Sequence, residues 1–288
     1  MRDRLSIEPL NPNIGVRIEG AHVRDLTDGE IATLKAQVAR RCFAVLPGQF
    51  VTAGELDALG ARFGETYMAA KAQPVEGTAC VSELTNMLVF DDPRYRTNRW
   101  HTDATHMDRP PSFTFLSCVQ PAPDGGGDTL WCNQSLAYET LPAAMKDRIA
   151  GLRFIFTIAD FYRRHNGPDM PGERTHPLVR VHAETGRKSL YLGDAISGPG
   201  FEGMTPDEGA ALRDELYAHC HRPEHCYRHR WSKGDLVIWD NRGAMHYAVM
   251  DYAPGDVRIM QRLMVRGEAP IADEAAKSPA VLAAAGVA

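Results

Sequence analysis

Short apolar segments separated by turns follow one another along most of the chain. After about residue 80 these segments are six to eight residues long, and examples are "FTFLSCV", "DTLWCN", "LRFIFTI", "HPLVRVH" and "GDLVIWDN". Apolar runs of this length between Gly, Pro and Asn turns are typical of buried or half-buried strands. Many short strands favour a sandwich or a barrel over a parallel sheet, so we predict a mainly β protein.

Four segments instead carry the spacing of amphipathic helices. In the first, a Thr–Asp cap precedes Ile31, Leu34 and Val38, which recur at helical intervals. The second repeats this pattern of a cap followed by a helix. The four segments span residues 27–42, 52–64, 133–151 and 205–220. We therefore expect helices that flank the β structure.

The chain contains no internal repeat and no obvious linker, which predicts a single domain over residues 1–288. Residues 159–177, "ADFYRRHNGPDMPGERTHP", are polar and rich in Gly and Pro. They predict a long loop without strands that could act as a lid. The tail from about residue 270 is rich in alanine and is predicted to be peripheral.

Composition narrows the class of protein without revealing its chemistry. The 288 residues are 44% hydrophobic and 24% charged, as in an ordinary globular enzyme, and the net charge of −5 gives no reason to expect nucleic acid. The N-terminus lacks the apolar stretch of a secretory signal, and no apolar run is long enough to cross a membrane. The six cysteines are scattered, which favours reduced thiols. We therefore expect a cytoplasmic protein.

Histidine and aspartate are concentrated in "RWHTDATHMD", residues 99–108. In a strand, His101 and Asp103 would point to the same face and could bind one ion. His246 lies 145 positions after His101 and is a candidate third ligand. Two histidines and one carboxylate are the ligands of non-haem Fe(II) oxygenases, although zinc would fit the same set. His106 and Asp108 are predicted to lie at the rim of the cavity or on the surface.

Two arginines lie near the C-terminal end of the chain, in the strand-like segment "VRIMQRLMV". Alternation along a strand would place Arg258 and Arg262 on one face. A buried guanidinium needs an anionic partner, because an unpaired buried charge is costly. Either a structural salt bridge or a small dicarboxylate held bidentately would meet that need.

The combination of these motifs resembles the taurine dioxygenase/TfdA-like family over roughly residues 5–268. The segments that carry the resemblance are "WHTDATHMDRPPS", "GGDTLWCN", "RKSLYLGDA" and "GDLVIWDNRGAMHYAVMDYAP", followed by "VRIMQR". Members are Fe(II)- and 2-oxoglutarate-dependent dioxygenases that use O2. Their fold is a double-stranded β-helix, a cupin-like jelly-roll barrel flanked by helices. Dimers and tetramers are common, so a homo-oligomer is compatible with the family.

The resemblance implies a role for several individual residues. His101, Asp103 and His246 match the iron ligands. Arg258 matches the arginine that pairs with 2-oxoglutarate, and Thr129 matches the threonine that hydrogen-bonds one of its carboxylates. "PAPDGGGDT" and "YAPGDVR" each hold one residue more than the family pattern, in turns where length is tolerated.

The substrate side departs further from the taurine enzymes. Arg262 matches an arginine that binds the anionic group of the substrate, which implies a small acidic substrate. Ala69, Ala72 and Thr97 replace the His, Tyr and Asn of the taurine pocket, so taurine itself is not expected. The remaining residues predicted at the substrate are Trp100 and, from the lid loop, Phe161 and Tyr162.

The resemblance therefore predicts an oxidoreductase that hydroxylates a small anionic compound, or cleaves it after hydroxylation, and releases succinate and CO2. A non-catalytic protein of the same fold that binds a metal or a small acid is the alternative. An iron oxygenase that does not use 2-oxoglutarate is another. The Cys/His-rich segment "HCHRPEHCYRH", residues 219–229, raises the separate question of a structural zinc site, but it lacks a matched second pair of ligands.

Overall fold

A computed structural model of the chain describes residues 4–68, 73–85, 98–157, 172–193, 198, 200–253 and 255–273. Within these ranges the helices coincide with the predicted segments, except that the third segment divides into two helices at Pro142. The first, second and last helices each begin with a threonine capping box, which satisfies backbone donors that would otherwise have no partner. The helices are α1 (Asp28–Arg41), α2 (Ala53–Phe63), α3 (Gln134–Thr140), α4 (Ala143–Ile149) and α5 (Pro206–Cys220).

Most of the β structure belongs to one large sheet. Its strands are β1 (Ser6–Pro9), β2 (Val16–Glu19), β3 (Phe43–Leu46), β4 (Thr66–Tyr67), β5 (Ser82–Thr85), β6 (Pro111–Gln120), β14 (Leu236–Asp240) and β16 (Ile259–Arg266). They are ordered β1-β2-β3-β14-β6-β16-β4, and β5 also pairs with β16. All of these pairs are antiparallel except β2 with β3.

A smaller antiparallel sheet faces the large one. Its strands are β7 (Thr129–Asn133), β13 (Cys226–His229) and β15 (Ala244–Ala248), in the order β13-β7-β15. A core between the sheets joins Trp131 and Ala244 of the small sheet to residues of the large one, among them Trp239 and Met260. The other face of the large sheet packs against α1 and α2, and the other face of the small sheet packs against α3 and α5.

The remaining strands form two three-stranded sheets. One comprises β8 (Arg153–Thr157), β9 (Glu173–Pro177) and β12 (Gly200–Phe201), and the other comprises β10 (Val179–Val181), β11 (Lys188–Leu190) and β17 (Ile271–Ala272). β17 pairs with β10 at the start of the tail that the sequence predicted to be peripheral, and residues from 274 onward lie outside the described part of the chain.

The predicted loop at 159–177 is wrong for its last five residues, because these form β9 and pair with β8. The sequence Glu-Arg-Thr-His-Pro has no apolar alternation, so its strand depends on tertiary contacts rather than on local preference. The buried His176 is one such contact, since its Nε2 bonds the carbonyl oxygens of Thr105 (3.0 Å) and Met107 (3.1 Å). Residues 158–171, which include Phe161 and Tyr162, lie outside the described residues.

The prediction of a mainly β fold with flanking helices is confirmed. Among the described residues, no helix is both long enough and apolar enough to cross a membrane.

Candidate metal centre

His101 and His246 are held side by side although they are far apart in the sequence. The amide of His101 donates to the carbonyl of His246 (2.9 Å), and the amide of His246 donates back (2.8 Å). Their ring centroids are 4.1 Å apart, and Asp103 follows two residues after His101. One ligand atom from each of the three residues lies within 4.8 Å of the others. In the described part of the chain, this is the only group of three or more His, Cys, Asp or Glu residues with that geometry.

Both imidazoles can offer a lone pair to a cation. The Nδ1 of His101 lies 2.8 Å from the carbonyl oxygen of Arg99, which can only accept a hydrogen bond. Nδ1 therefore carries the proton and Nε2 is free to bind a metal. Burial, together with the neighbouring His101, lowers the pKa of His246 to about 3, so its ring is neutral at physiological pH. Neutral imidazole is the form that binds metal ions.

The Asp103 carboxylate is oriented by a chain of hydrogen bonds from the large sheet. The hydroxyl of Thr114 on β6 donates to Oδ2 of Asp103 (2.8 Å), and the side-chain amide of Asn241 donates to that hydroxyl (2.8 Å). Oδ1 lies 3.7 Å from Nε2 of His246, too far for a hydrogen bond. An ion about 2.1 Å from each atom would bridge this gap, so the donor set fits a divalent metal.

The Asp103 carboxylate also stays ionised in this buried position. The pKa of Asp103 is lowered although burial alone would raise it, and the charge of Arg262 and the hydrogen bond from Thr114 contribute to the lowering. A deprotonated carboxylate beside two imidazoles is the form that a metal site requires.

Thr114→Val tests this orientation. The variant removes the hydrogen bond to Oδ2, so Asp103 is free to rotate away from the metal. We expect the affinity for Mn(II) to fall about 10- to 100-fold, the usual cost of losing a partner that orients a metal ligand. Electron paramagnetic resonance of free Mn(II) measures this affinity directly.

Ser112→Ala is the matched control, because Ser112 is a buried hydroxyl on β6 that contacts backbone carbonyls instead of Asp103. Its affinity for Mn(II) should equal that of the wild type. Unchanged Mn(II) binding in Thr114→Val would contradict the orienting role.

A buried ion network fixes the turn that leads into β15 and His246. The guanidinium of Arg242 binds both carboxylate oxygens of Asp240 and reaches Glu184, and the ring of His182 contacts Asp240 at 3.0 Å. Burial alone would raise the pKa of Asp240, but Arg242 and His182 outweigh it and hold that pKa far below its ordinary value. The network was not predicted, although "WDNR" directly after an apolar strand was a visible clue.

Thr129 and Arg258, the residues predicted to bind 2-oxoglutarate, are both near Gly127, which lies two residues before Thr129 and against the side chain of Arg258. Thr129 begins β7, and its hydroxyl accepts a hydrogen bond from the indole of Trp231 (3.0 Å), which leaves the hydroxyl proton free to donate. A Cβ built on Gly127 would lie 2.8 Å from the side chain of Arg258, so only glycine allows this close approach. Burial lowers the pKa of Arg258.

The turn at residues 121–129 contacts the segment that follows β15. Asp251, in that segment, accepts a hydrogen bond from the amide of Gly127 (2.8 Å). The guanidinium of Arg228 donates hydrogen bonds to the carboxylates of both Asp128 (2.5 Å) and Asp251 (3.1 Å). These contacts hold the turn that ends at Thr129 against Asp251, in the segment that leads to Arg258.

Arg262 lies close to the triad. Its charge lowers the pKa of both Asp103 and His246. It pairs with Leu116 on β6 and Ser82 on β5, and its buried Nε has no hydrogen-bond partner among the described residues. The guanidinium therefore retains a donor for another group near the metal centre.

Trp100 packs on the side of β15 away from the metal. It stacks on His221, with 4.6 Å between ring centroids, and contacts Tyr247 at 5.8 Å. Tyr247 follows His246 in β15, so the two side chains point to opposite faces. The predicted substrate role of Trp100 therefore gains no support from its contacts. The positions of Ala69, Ala72, Thr97, Phe161 and Tyr162 lie outside the described residues.

Two other predicted features are placed away from the metal centre. Asp108 forms an exposed ion pair with Arg174, as expected for a surface residue. In the 219–229 segment, His219 and His225 contact α3 through Thr140, whereas the His229 ring faces Asp235. The His219 and His225 rings meet at the Thr140 hydroxyl, but the His229 ring is directed elsewhere, so the three rings do not favour the zinc site.

His101, Asp103 and His246 form a candidate metal centre, since one ligand atom from each lies within 4.8 Å of the others. The sequence profile described as "Taurine catabolism dioxygenase TauD, TfdA family" matches residues 6–264. The chain belongs to this family, which confirms the predicted membership and the prediction of an oxidoreductase.

Similar proteins include an alkylsulfatase of Acinetobacter baylyi, which is 30% identical over 92% of this chain and 86% of that protein. The alpha-ketoglutarate-dependent 2,4-dichlorophenoxyacetate dioxygenase of Cupriavidus pinatubonensis is 29% identical over 83% of this chain and 90% of that protein. Among solved structures, a taurine dioxygenase from Burkholderia xenovorans is similar, with a TM-score of 0.80 and 30% identity, and the match covers 94% of each chain.

Proposed function

We propose that this protein is an Fe(II)- and 2-oxoglutarate-dependent dioxygenase that oxidises a small anionic compound. The observation that carries the proposal is the convergence of two imidazoles and one ionised carboxylate within 4.8 Å. The family and the names of relatives that use alpha-ketoglutarate support it. We further propose that the two facing sheets form a double-stranded β-helix, the jelly-roll barrel of the family, in a single domain.

Each side chain has a distinct task in this proposal. His101, Asp103 and His246 would hold the iron through two imidazole nitrogens and one carboxylate oxygen. Arg258 pairs with one carboxylate of 2-oxoglutarate, and Thr129 donates its hydroxyl proton to a carboxylate of the same molecule. Bound iron with 2-oxoglutarate supplies the oxidation of a substrate C–H bond by O2, which yields succinate and CO2. The protein contributes position and the exclusion of side reactions.

Arg262 is proposed to bind the oxyanion of the substrate. Its buried Nε has no hydrogen-bond partner among the described residues, and its charge lowers the pKa of Asp103. A buried N–H group without an acceptor is costly, which supports an acidic ligand at this position. Relatives named for sulfate esters and for 2,4-dichlorophenoxyacetate agree with a substrate of this charge.

The proposal is tested by a screen of anionic substrates. Protein supplied with Fe(II), 2-oxoglutarate and O2 is incubated with hexyl sulfate, taurine, 2,4-dichlorophenoxyacetate and related acids. We expect at least one acid to stimulate succinate formation, with succinate and oxidised product in equal amounts by mass spectrometry. Stimulation by taurine should be weak, because the sequence lacks the taurine-type His and Tyr.

Tight binding of 2-oxoglutarate without succinate from any acid would contradict the proposed function. That result would favour the alternative of a binding protein with the same fold. Turnover of a substrate in the absence of 2-oxoglutarate would indicate an iron oxygenase of another type.

A further inference from the structure

Tyr67 lies on the same face of the large sheet as the metal centre. In β4 it pairs directly with Met264 of β16, and Met264 in turn pairs with Thr114 of β6. Directly paired residues share a face of the sheet, and Arg262 shares it too because it is two residues from Met264. Tyr67, Met264 and Thr114 therefore form a row across three strands that ends at Asp103, since Thr114 donates to that carboxylate.

The hydroxyl of Tyr67 is buried without a partner. The residue is 8% exposed, and among the described residues no hydrogen-bond partner reaches its hydroxyl oxygen. The Nε of Arg262, on the same face, is also buried and has no hydrogen-bond partner among the described residues. Buried polar groups are nearly always hydrogen-bonded, and one that is not lowers stability. Two such groups on one face beside a metal centre indicate a position where a ligand supplies the acceptors.

The surroundings of Tyr67 favour an anion as that ligand. The guanidinium of Arg266 lies over the ring of Tyr67, 4.7 Å from its centroid. The positive charge of Arg262 is also close enough to lower the pKa of the Tyr67 hydroxyl. Burial, followed by the charge of Asp103, raises the pKa of the Tyr67 hydroxyl well above its ordinary value. The phenol therefore keeps its proton at physiological pH and can donate a hydrogen bond to an acceptor.

We propose that Tyr67 is a substrate-binding residue, whose hydroxyl donates a hydrogen bond to the oxyanion of the substrate beside Arg262. This inference rests on the proposed function, and it specifies the ligand further. The group bound must offer at least two acceptor oxygens, as a sulfate ester, a sulfonate or a carboxylate does. Tyr67 would then contribute to the choice of substrate from a strand whose following residues differ from those of the taurine enzymes.

The test compares Tyr67→Phe with wild-type protein loaded with Mn(II) and N-oxalylglycine, an unreactive analogue of 2-oxoglutarate. Calorimetric titration with hexyl sulfate, taurine and 2,4-dichlorophenoxyacetate identifies the anion that the wild type binds most tightly. We expect Tyr67→Phe to bind that anion about 10- to 100-fold more weakly, the usual effect of losing a hydrogen bond to a charged group. Tyr138→Phe, on α3, is the matched control and should bind it as the wild type does.

Thermal unfolding separates this role from a structural one. Because the hydroxyl has no partner within the described protein, its removal should leave the unfolding temperature unchanged or raise it. A lowered unfolding temperature would overturn the inference, and so would equal anion binding in wild type and variant or no binding of any of the three anions. Failure of the wild type to bind N-oxalylglycine would instead contradict the proposed function itself, so the two failures are distinguishable.

Discussion

Asp103→Ala and His246→Ala are expected to abolish succinate formation, with turnover at least about a thousandfold below the wild type. Each substitution removes one of the three proposed protein ligands, so the affinity for iron should fall and the oxidation that depends on it should be lost. In Asp103→Ala, the site also loses the one negative charge that balances the metal. Succinate released per enzyme, with the best substrate of the screen, is the measurement.

Asp108→Ala is the control for these variants, because it removes an aspartate from the same ten-residue segment. Its side chain is 76% exposed and paired with Arg174, and exposed ion pairs contribute little to stability. Turnover should therefore stay close to that of the wild type. Coupled turnover retained in His246→Ala, at iron concentrations that saturate the wild type, would show that the triad is assigned incorrectly.

The sequence predicted the ligands unequally well. His101 and Asp103 were predicted from the alternation of side chains along a strand. In the structure His101 forms an isolated bridge with His246 and Asp103 begins a turn, so the two ligands converge without a regular strand. His246 was a candidate among eleven histidines, and the family resemblance supported its choice. Its position beside His101 depends on backbone pairing between residues 145 positions apart. A local sequence pattern cannot predict a contact between residues so far apart in the chain.

Residues that support the ligands were harder to predict. Thr114 lies within the apolar run "FTFLSCV", where a threonine looks like any other β-branched strand residue. Its contact with Asp103 depends on how β6 lies against the 99–108 segment. Tyr67 is similar, because only the register of β4 on β16 places it on the face of the metal centre.

The strand β9 is an element that the sequence predicted incorrectly. Its composition predicts a loop, yet pairing with β8 makes it a strand, as expected where tertiary contacts override local preference. By contrast, the caps of α1, α2 and α5 are local interactions between residues three apart, and these helix starts were predictable from the sequence.

Arg258→Ala is expected to weaken 2-oxoglutarate binding by at least about a hundredfold. A guanidinium pairs with a carboxylate through two charge-assisted hydrogen bonds, each worth about 1.5–3 kcal/mol in a partly buried site. Anaerobic titration of the Fe(II) protein with 2-oxoglutarate, followed by its visible charge-transfer absorption, measures the change. The affinity of Arg258→Lys for 2-oxoglutarate should lie between those of Arg258→Ala and the wild type, because lysine keeps the charge but loses the planar pair of donors.

Arg262→Ala is the matched control, since it removes the same group four residues further along the chain. It should bind 2-oxoglutarate nearly as the wild type does while losing affinity for the anionic substrate, so the two variants should show opposite patterns. This contrast follows from the two locations, because Arg258 lies against Gly127 beside Thr129, whereas Arg262 acts on Asp103 and His246. Equal loss of 2-oxoglutarate binding in both variants would mean that the arginines stabilise the site together, and the separate assignment of cosubstrate and substrate would be incorrect.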